Sequence, residues 1–245
     1  MDKNIEFNFN EKKLKIFFLV LFLPGLLFVL QEILIPEFFS KPQPKISITG
    51  IHKLKKDEVL NFIKGKSGQQ IFSIPIAEIE KKLGDHPRIM KSNVSKKVNN
   101  NIQIFIEERK ATYIINSGDT LYEVDNDFRI LSIDDVREEN LIILSGEFSP
   151  KDGYFSGAVI KEFASSVDRA FNLHPSLKKR ISEIELRTDG SVMAYIHYPS
   201  HIRANAGISL EIQQVRKLYA ALAYFENKNI KAKTLDLRGD DAVFQ

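Results

Sequence analysis

Apolar and polar residues alternate with two periods along this chain, and the changes of period mark its elements. Ile46 and Ile48 alternate with Ser47 and Thr49 before Gly50, which predicts a short strand stopped by glycine. Val59, Phe62 and Ile63 then fall on one helical face, with Gly65 as the stop. Ile76, Ile79 and Leu83 stand at i, i+3 and i+7, with glutamates early, lysines late and Gly84 beyond, so a second helix is expected there. A hairpin follows, with Val94, Lys96 and Val98 on one arm and Ile102, Ile104 and Ile106 on the other. Asn99, Asn100 and Asn101 tolerate positive φ at its turn. The order is β-α-α-β-β, a small sheet covered on one face by helices.

The apolar positions are even up to Ile106 and odd at Ala111, Tyr113 and Ile115. A change of parity across Glu107-Glu108-Arg109-Lys110 means a bulge, or one backbone serving two cores. This run is read as a solvated joint between domains 45–110 and 111–245; the alternative is one long exposed strand. Beyond it, strands flank Asp125-Asn126-Asp127, and "NLIILSG" gives another. A helix carries Ile160, Phe163, Val167, Ala170 and Phe171 on one face. A hairpin turns at Asp189-Gly190. A long helix starts near Ser209, with Ile212, Val215, Leu218, Tyr219, Leu222 and Phe225 as its stripe, and two short strands close the chain. The expected class is α/β (α+β): a mixed domain with an antiparallel-rich sheet and a long C-terminal helix behind the smaller one.

The N-terminal part follows neither period. Residues 16–31 carry no charge, and 13 of those 16 are Leu, Ile, Phe or Val. Transferring them to a bilayer gains about 4–8 kcal/mol, which outweighs Pro24, Gly25 and Gln31. A transmembrane signal-anchor over 16–35 is expected, between a cytoplasmic tail 1–15 and a proline-stiffened linker 36–44. A cleaved signal peptide is the rival reading, but no small-x-small cleavage site follows. Lys12, Lys13 and Lys15 precede the segment, so the N-terminus is expected in the cytoplasm and the domains outside the inner membrane.

The 245 residues carry a net charge of +3, too small and dispersed for a nucleic-acid binder. The lack of cysteine removes thiolate metal sites, a cysteine nucleophile and disulfides. His197 and His201 have ligand spacing, but Pro199 lies between them and no glutamate follows His197. Asp125, Asp127, Asp134 and Asp135 lack the glycine and final glutamate of a calcium loop and read as turn formers. "GKSGQQ" at Gly65 lacks the upstream glycine of a phosphate loop, and Lys178-Lys179-Arg180 reads as a solvated turn. No catalytic motif, cofactor or small-molecule substrate is expected. The remaining feature is the terminal strand, whose backbone rim is open to addition of another chain unless Asp240 and Asp241 only blunt it.

"ISITG", "IFSIPIAEIEKKLGDHPRIMKSNVSKKV" and "IQIFIEERKATYII" together resemble a POTRA domain, and "LYEVDNDFRIL", "LIILSG" and "LDLRGDDAVF" extend the likeness to the FtsQ/DivIB family of bacterial cell-division proteins. The likeness is dense over 46–131 and 230–245. It departs at Asn99–Asn101, where the family often has a Trp-Pro pair, at Asn126-Asp127, where glycine is common, and at "HYPSHIRANAGISL". The resemblance implies a non-catalytic divisome scaffold at the septum that docks FtsB with FtsL. Carried over by position, the contacts are Thr234, Asp236, Arg238, Ala242, Val243 and Phe244, with Tyr219 and Tyr224 on the helix. Ile46–Thr49 is a second candidate edge. The alternative is a POTRA-containing adaptor in secretion or outer-membrane assembly.

Overall fold

A computed structural model describes residues 11–29, 44–65, 68 and 70–245. Helix α1 spans Glu11–Val29 and contains Pro24. Among the described residues no helix is long and apolar enough to cross a membrane. The first turn of α1 is charged, and its uncharged part, Ile16–Val29, extends about 21 Å against a hydrocarbon core of about 30 Å. Residues 30–35 of the expected span, the tail 1–10, the linker 36–43 and most of "KSGQ" at 66–69 lie outside the described residues.

The first module contains β1 (Ile46–Thr49), α2 (Lys56–Lys64), α3 (Ile76–Asp85), β2 (Ile89–Lys96) and β3 (Ile102–Glu108). Its sheet runs β1-β3-β2, with β1 parallel and β2 antiparallel to β3. Val59 and Ile63 of α2 and Ile79 and Leu83 of α3 bury against Ile102, Ile104 and Ile106. Two expectations need correction. Lys96 ends the β2 arm as expected, but Val98 is 82% exposed in a 3-10 turn rather than on a strand arm. Phe62 sits at the rim of the core, its ring edge-on to His86 at 4.6 Å. Gly50 adopts φ +83°, and a Cβ there would collide with the Ile106 carbonyl oxygen, so only glycine fits.

The charged run also behaves otherwise than expected. It ends β3, and the chain re-enters a sheet only at β4 (Tyr113–Ser117). The run is anchored as well as solvated: Glu107 and Lys110 are exposed, while Glu108 and Arg109 are half-buried and bonded. The Glu108 carboxylate accepts the backbone N–H groups of His52 (2.7 Å), Lys53 (2.9 Å) and Leu54 (3.0 Å). Arg109 donates its N–H to the Arg88 carbonyl (2.8 Å) and pairs with Asp125 (3.2 Å).

β4 belongs to a nine-stranded sheet with β5 (Thr120–Val124), β6 (Ile130–Ile133), β7 (Ile143–Gly146), β8 (Ile181–Leu186), β9 (Val192–Ile196), β10 (Ile202–Gly207), β11 (Thr234–Asp236) and β12 (Val243–Phe244). The strand order is β12-β11-β10-β9-β8-β7-β4-β5-β6. Helices α4 (Ala158–Leu173) and α5 (Ile212–Lys228) bury Phe163, Val167, Leu218, Leu222 and Phe225 against one sheet face. Ile212 (59% exposed) and Tyr219 (38%) of the expected α5 stripe lie outside that core. Strand β10 is the element the pattern missed. Its inward residues Ile202, Ala204 and Ala206 are mostly alanine, which gives a weak period-two signal.

The two modules meet over a buried ion pair. Arg88 (1% exposed) donates to the Glu123 carboxylate (0%). That carboxylate also accepts the Ser132 hydroxyl (2.7 Å) and the N–H groups of Arg137 (2.7 Å) and Glu138 (2.6 Å). Arg137 grips both oxygens of Glu58 on α2, at 2.9 and 3.0 Å. Burial pushes Glu123 up, but the four donors outweigh it and hold the group below its ordinary value. Its contribution is therefore present above the unfolded pKa and lost as pH falls through the folded one. Arg88→Met strands the buried carboxylate and is expected to cost about 3–5 kcal/mol, with Arg88→Met/Glu123→Leu recovering much of it. Thermal unfolding of both variants checks this.

Candidate functional site

The end of the large sheet is built by a parallel strand, a turn and a two-residue return. β11 follows α5 and pairs in parallel with β10 through Arg203↔Thr234, Ala204↔Leu235 and Asn205↔Asp236. β12 folds back on β11 through Leu235↔Phe244 and Asp236↔Val243. Lys217 of α5 pins the intervening turn, donating from Nζ to the Leu237 (3.0 Å) and Gly239 carbonyls.

Thr234 and Asp236 therefore lie in an interior strand whose backbone is occupied on both sides, and they offer only side chains. The open rim belongs to β12. Thr234 and Gln245 exchange both backbone hydrogen bonds at 3.2 Å. Antiparallel positions alternate, so the N–H and C=O of the neighbouring Phe244 point away from β11. Val243 is 61% exposed, on the same sheet face as Asp236. The Phe244 ring turns to the helix side and meets Phe225 edge-on at 4.9 Å, remaining 42% exposed. Tyr224 (49% exposed) adjoins Phe225 with its ring 6.4 Å away. Ala242 packs half-buried at the core margin. These residues form one apolar ledge beside a strand edge.

Tyr219 joins a different group, stacked on His174 at 4.2 Å. Arg238 folds onto Asp236 through its backbone N–H (3.0 Å), Nε (3.0 Å) and Nη2 (2.6 Å). Sequence reasoning passed over Phe225 as the platform for Phe244, and Lys217 as the pin. A lysine five residues into a helix carries no signal for a carbonyl that only the fold brings near.

At the opposite margin the sheet ends in β6, and β1 and β2 are the two edges of the small sheet. Of the small-sheet edges, β2 is guarded: the Glu80 carboxylate accepts the Val94 N–H (3.0 Å). Asp125 forms its turn, accepting the N–H groups of Asp127 and Arg129 (3.0 Å each). His197 and His201 flank a bend and are exposed. Among the described residues no group of three or more His, Cys, Asp or Glu could hold a metal ion.

The β-α-α-β-β order of the first module is that of a POTRA domain. Residues 41–109 match the POTRA domain, FtsQ-type. The chain is similar to the cell division protein DivIB of Bacillus subtilis, 29% identical over 162 residues, which covers 62% of this chain and 56% of that protein. It is also similar to the cell division protein DivIB of Clostridium acetobutylicum, 29% identical over 102 residues, or 41% of each chain. The matches span about half the length of these curated relatives or less. The FtsQ-type POTRA match over 41–109 and the similarity to DivIB division proteins agree with the FtsQ/DivIB resemblance of the sequence.

The Arg238 guanidinium, with its backbone N–H, holds Asp236 down at about 2. The interaction is present above the ordinary carboxylate range and is lost as pH falls from there toward 2. An NMR titration of the Asp236 carboxyl carbon is expected to show this low midpoint, and Arg238→Ala is expected to return it toward 3.8.

Proposed function

We propose that this chain is a non-catalytic, membrane-anchored scaffold of the bacterial division machinery. It binds partners of the FtsB/FtsL kind by strand addition at β12 and links early and late division proteins to septal wall synthesis. The observation that carries this reading is the outward N–H and C=O of Phe244 beside the ledge of Val243, Phe244 and Tyr224. An extended segment gains affinity from the backbone pair and selectivity from the ledge. The similarity to DivIB proteins supports division over a secretion or outer-membrane role. The uncharged run 16–31, preceded by lysines, supports an anchor in the inner membrane with the N-terminus in the cytoplasm.

The test is co-purification of division partners with the full chain in detergent. Phe244→Pro removes the outward N–H, and Val243→Asp puts a charge on the ledge. Each is expected to weaken partner recovery by about tenfold, in line with one lost backbone bond and a few contacts. Unchanged recovery with both variants, their fold intact by circular dichroism, overturns strand addition at this edge.

A further inference from the structure

The bend after β9 and the C-terminal end of α5 enclose a cavity of about 370 Å³. Tyr198, Ser200, His201, Glu226, Lys231 and Lys233 contribute its polar lining, and Pro199, Ile230 and Ala232 give it an apolar side. Two ammonium groups stand on its wall, those of the exposed Lys231 and Lys233. Among the described residues neither Lys231 nor Lys233 holds an ion pair.

The carboxylate in this group is already taken. Glu226 accepts Arg180 Nη2 at 2.7 Å and the Tyr198 hydroxyl at 2.8 Å. Those contacts, the tyrosine's first, hold Glu226 below its ordinary value. Arg180 also lies over the Tyr198 ring at 5.6 Å. Among the described residues two buried groups here have no partner, the Ser200 Oγ on the cavity wall and the Nη1 of Arg180, whose Nη2 reaches the lining residue Glu226. Buried donors left unpaired are costly, and unpaired ones beside a surplus of cations suit an oxyanion.

A planar carboxylate has two oxygens to offer, whereas a phosphate accepts from several directions, which matches a hydroxyl and ammonium groups spread around one cup. The cavity also exceeds what a bare ion fills, and its apolar side suits a short organic group. We propose that this cavity binds a phosphate ester of a small alcohol. The phosphate sits between Ser200, Lys231 and Lys233, and the alcohol portion lies along Pro199 and Ile230. The site adjoins the β12 ledge through Phe225, which lines the cavity and meets Phe244, but does not depend on the division reading.

The test is an NMR titration of the full chain in non-ionic detergent with sn-glycerol 3-phosphate, following the amides of Ser200, His201 and Lys231 to Lys233. Saturable shifts are expected. Lys231→Ala/Lys233→Ala is expected to weaken binding by about tenfold or more, and Ser200→Ala by about threefold to tenfold, as lost charge-assisted and neutral hydrogen bonds. Lys96→Ala/Lys97→Ala, at the hairpin end, leaves the affinity unchanged. Undiminished dispersion in the amide spectra verifies the fold of each variant. The same shifts from sodium chloride at matched ionic strength, or equal loss in the hairpin variant, reduce the effect to diffuse charge attraction and overturn the proposal. Dihexanoyl phosphatidylglycerol separates the sources. Tighter binding than glycerol 3-phosphate, with dihexanoyl phosphatidylcholine silent, assigns a lipid headgroup; the reverse order assigns a free ester. Both orders uphold the phosphate-ester site.

Discussion

One carboxylate, Glu123, organises the middle of the molecule. It is fully buried, and four donors converge on it from Arg88, Ser132 and the backbone at Arg137 and Glu138. A charge so placed persists only because every lone-pair direction finds a hydrogen. Those donors come from different parts of the chain. Arg88 belongs to the loop before β2, Ser132 to an edge strand, and the two amides to the strap after it. The strap then reaches α2 through Arg137 and Glu58. The small sheet, the large sheet and their connector are therefore held by the satisfaction of a single buried ion, with Glu108 as a second clasp on the loop after β1.

This arrangement has a functional corollary at the margins. A sheet of nine strands has two edges, and a protein must manage each. β2 of the small sheet is covered by a glutamate, and β6 has its Ile130 N–H taken by the Gly153 carbonyl (2.8 Å). β12 is short and, among the described residues, carries no such cover at Phe244, and apolar side chains gather around it. The contrast between guarded and open edges supports the proposal of the last strand as a contact surface. Rigid anchoring of β11 through Lys217 and the Asp236–Arg238 pair keeps that surface in one shape, so partner binding need not order it.

The basic cavity lies close to that surface in the chain, since Lys233 donates its N–H to the Gln245 carbonyl (2.7 Å). Its chemistry is nonetheless different. The ledge offers backbone and apolar area to an extended chain, whereas the cavity offers a hydroxyl and ammonium groups to an anion. The two proposed ligands differ in kind, and Phe225 is common to both surfaces.

The sequence determined the local elements. The period of Ile102, Ile104 and Ile106 set the buried face of β3, and Ile160 to Phe171 set that of α4, because burial of alternate or every third to fourth residue is a local property of a chain. It also located the break at Glu107–Lys110, since parity cannot change within one regular strand. It left β10 unmarked, because alanine fills space beneath helices without advertising itself as apolar. What only the tertiary structure decided were the pairings: that β11 lies inside the sheet and β12 at its rim, that Lys217 meets a distant carbonyl, and that Lys231, Lys233 and Ser200 line one cavity. Those are relations between segments far apart in the chain, fixed by how sheets and helices pack and by where buried charges find their partners, and no local pattern encodes them.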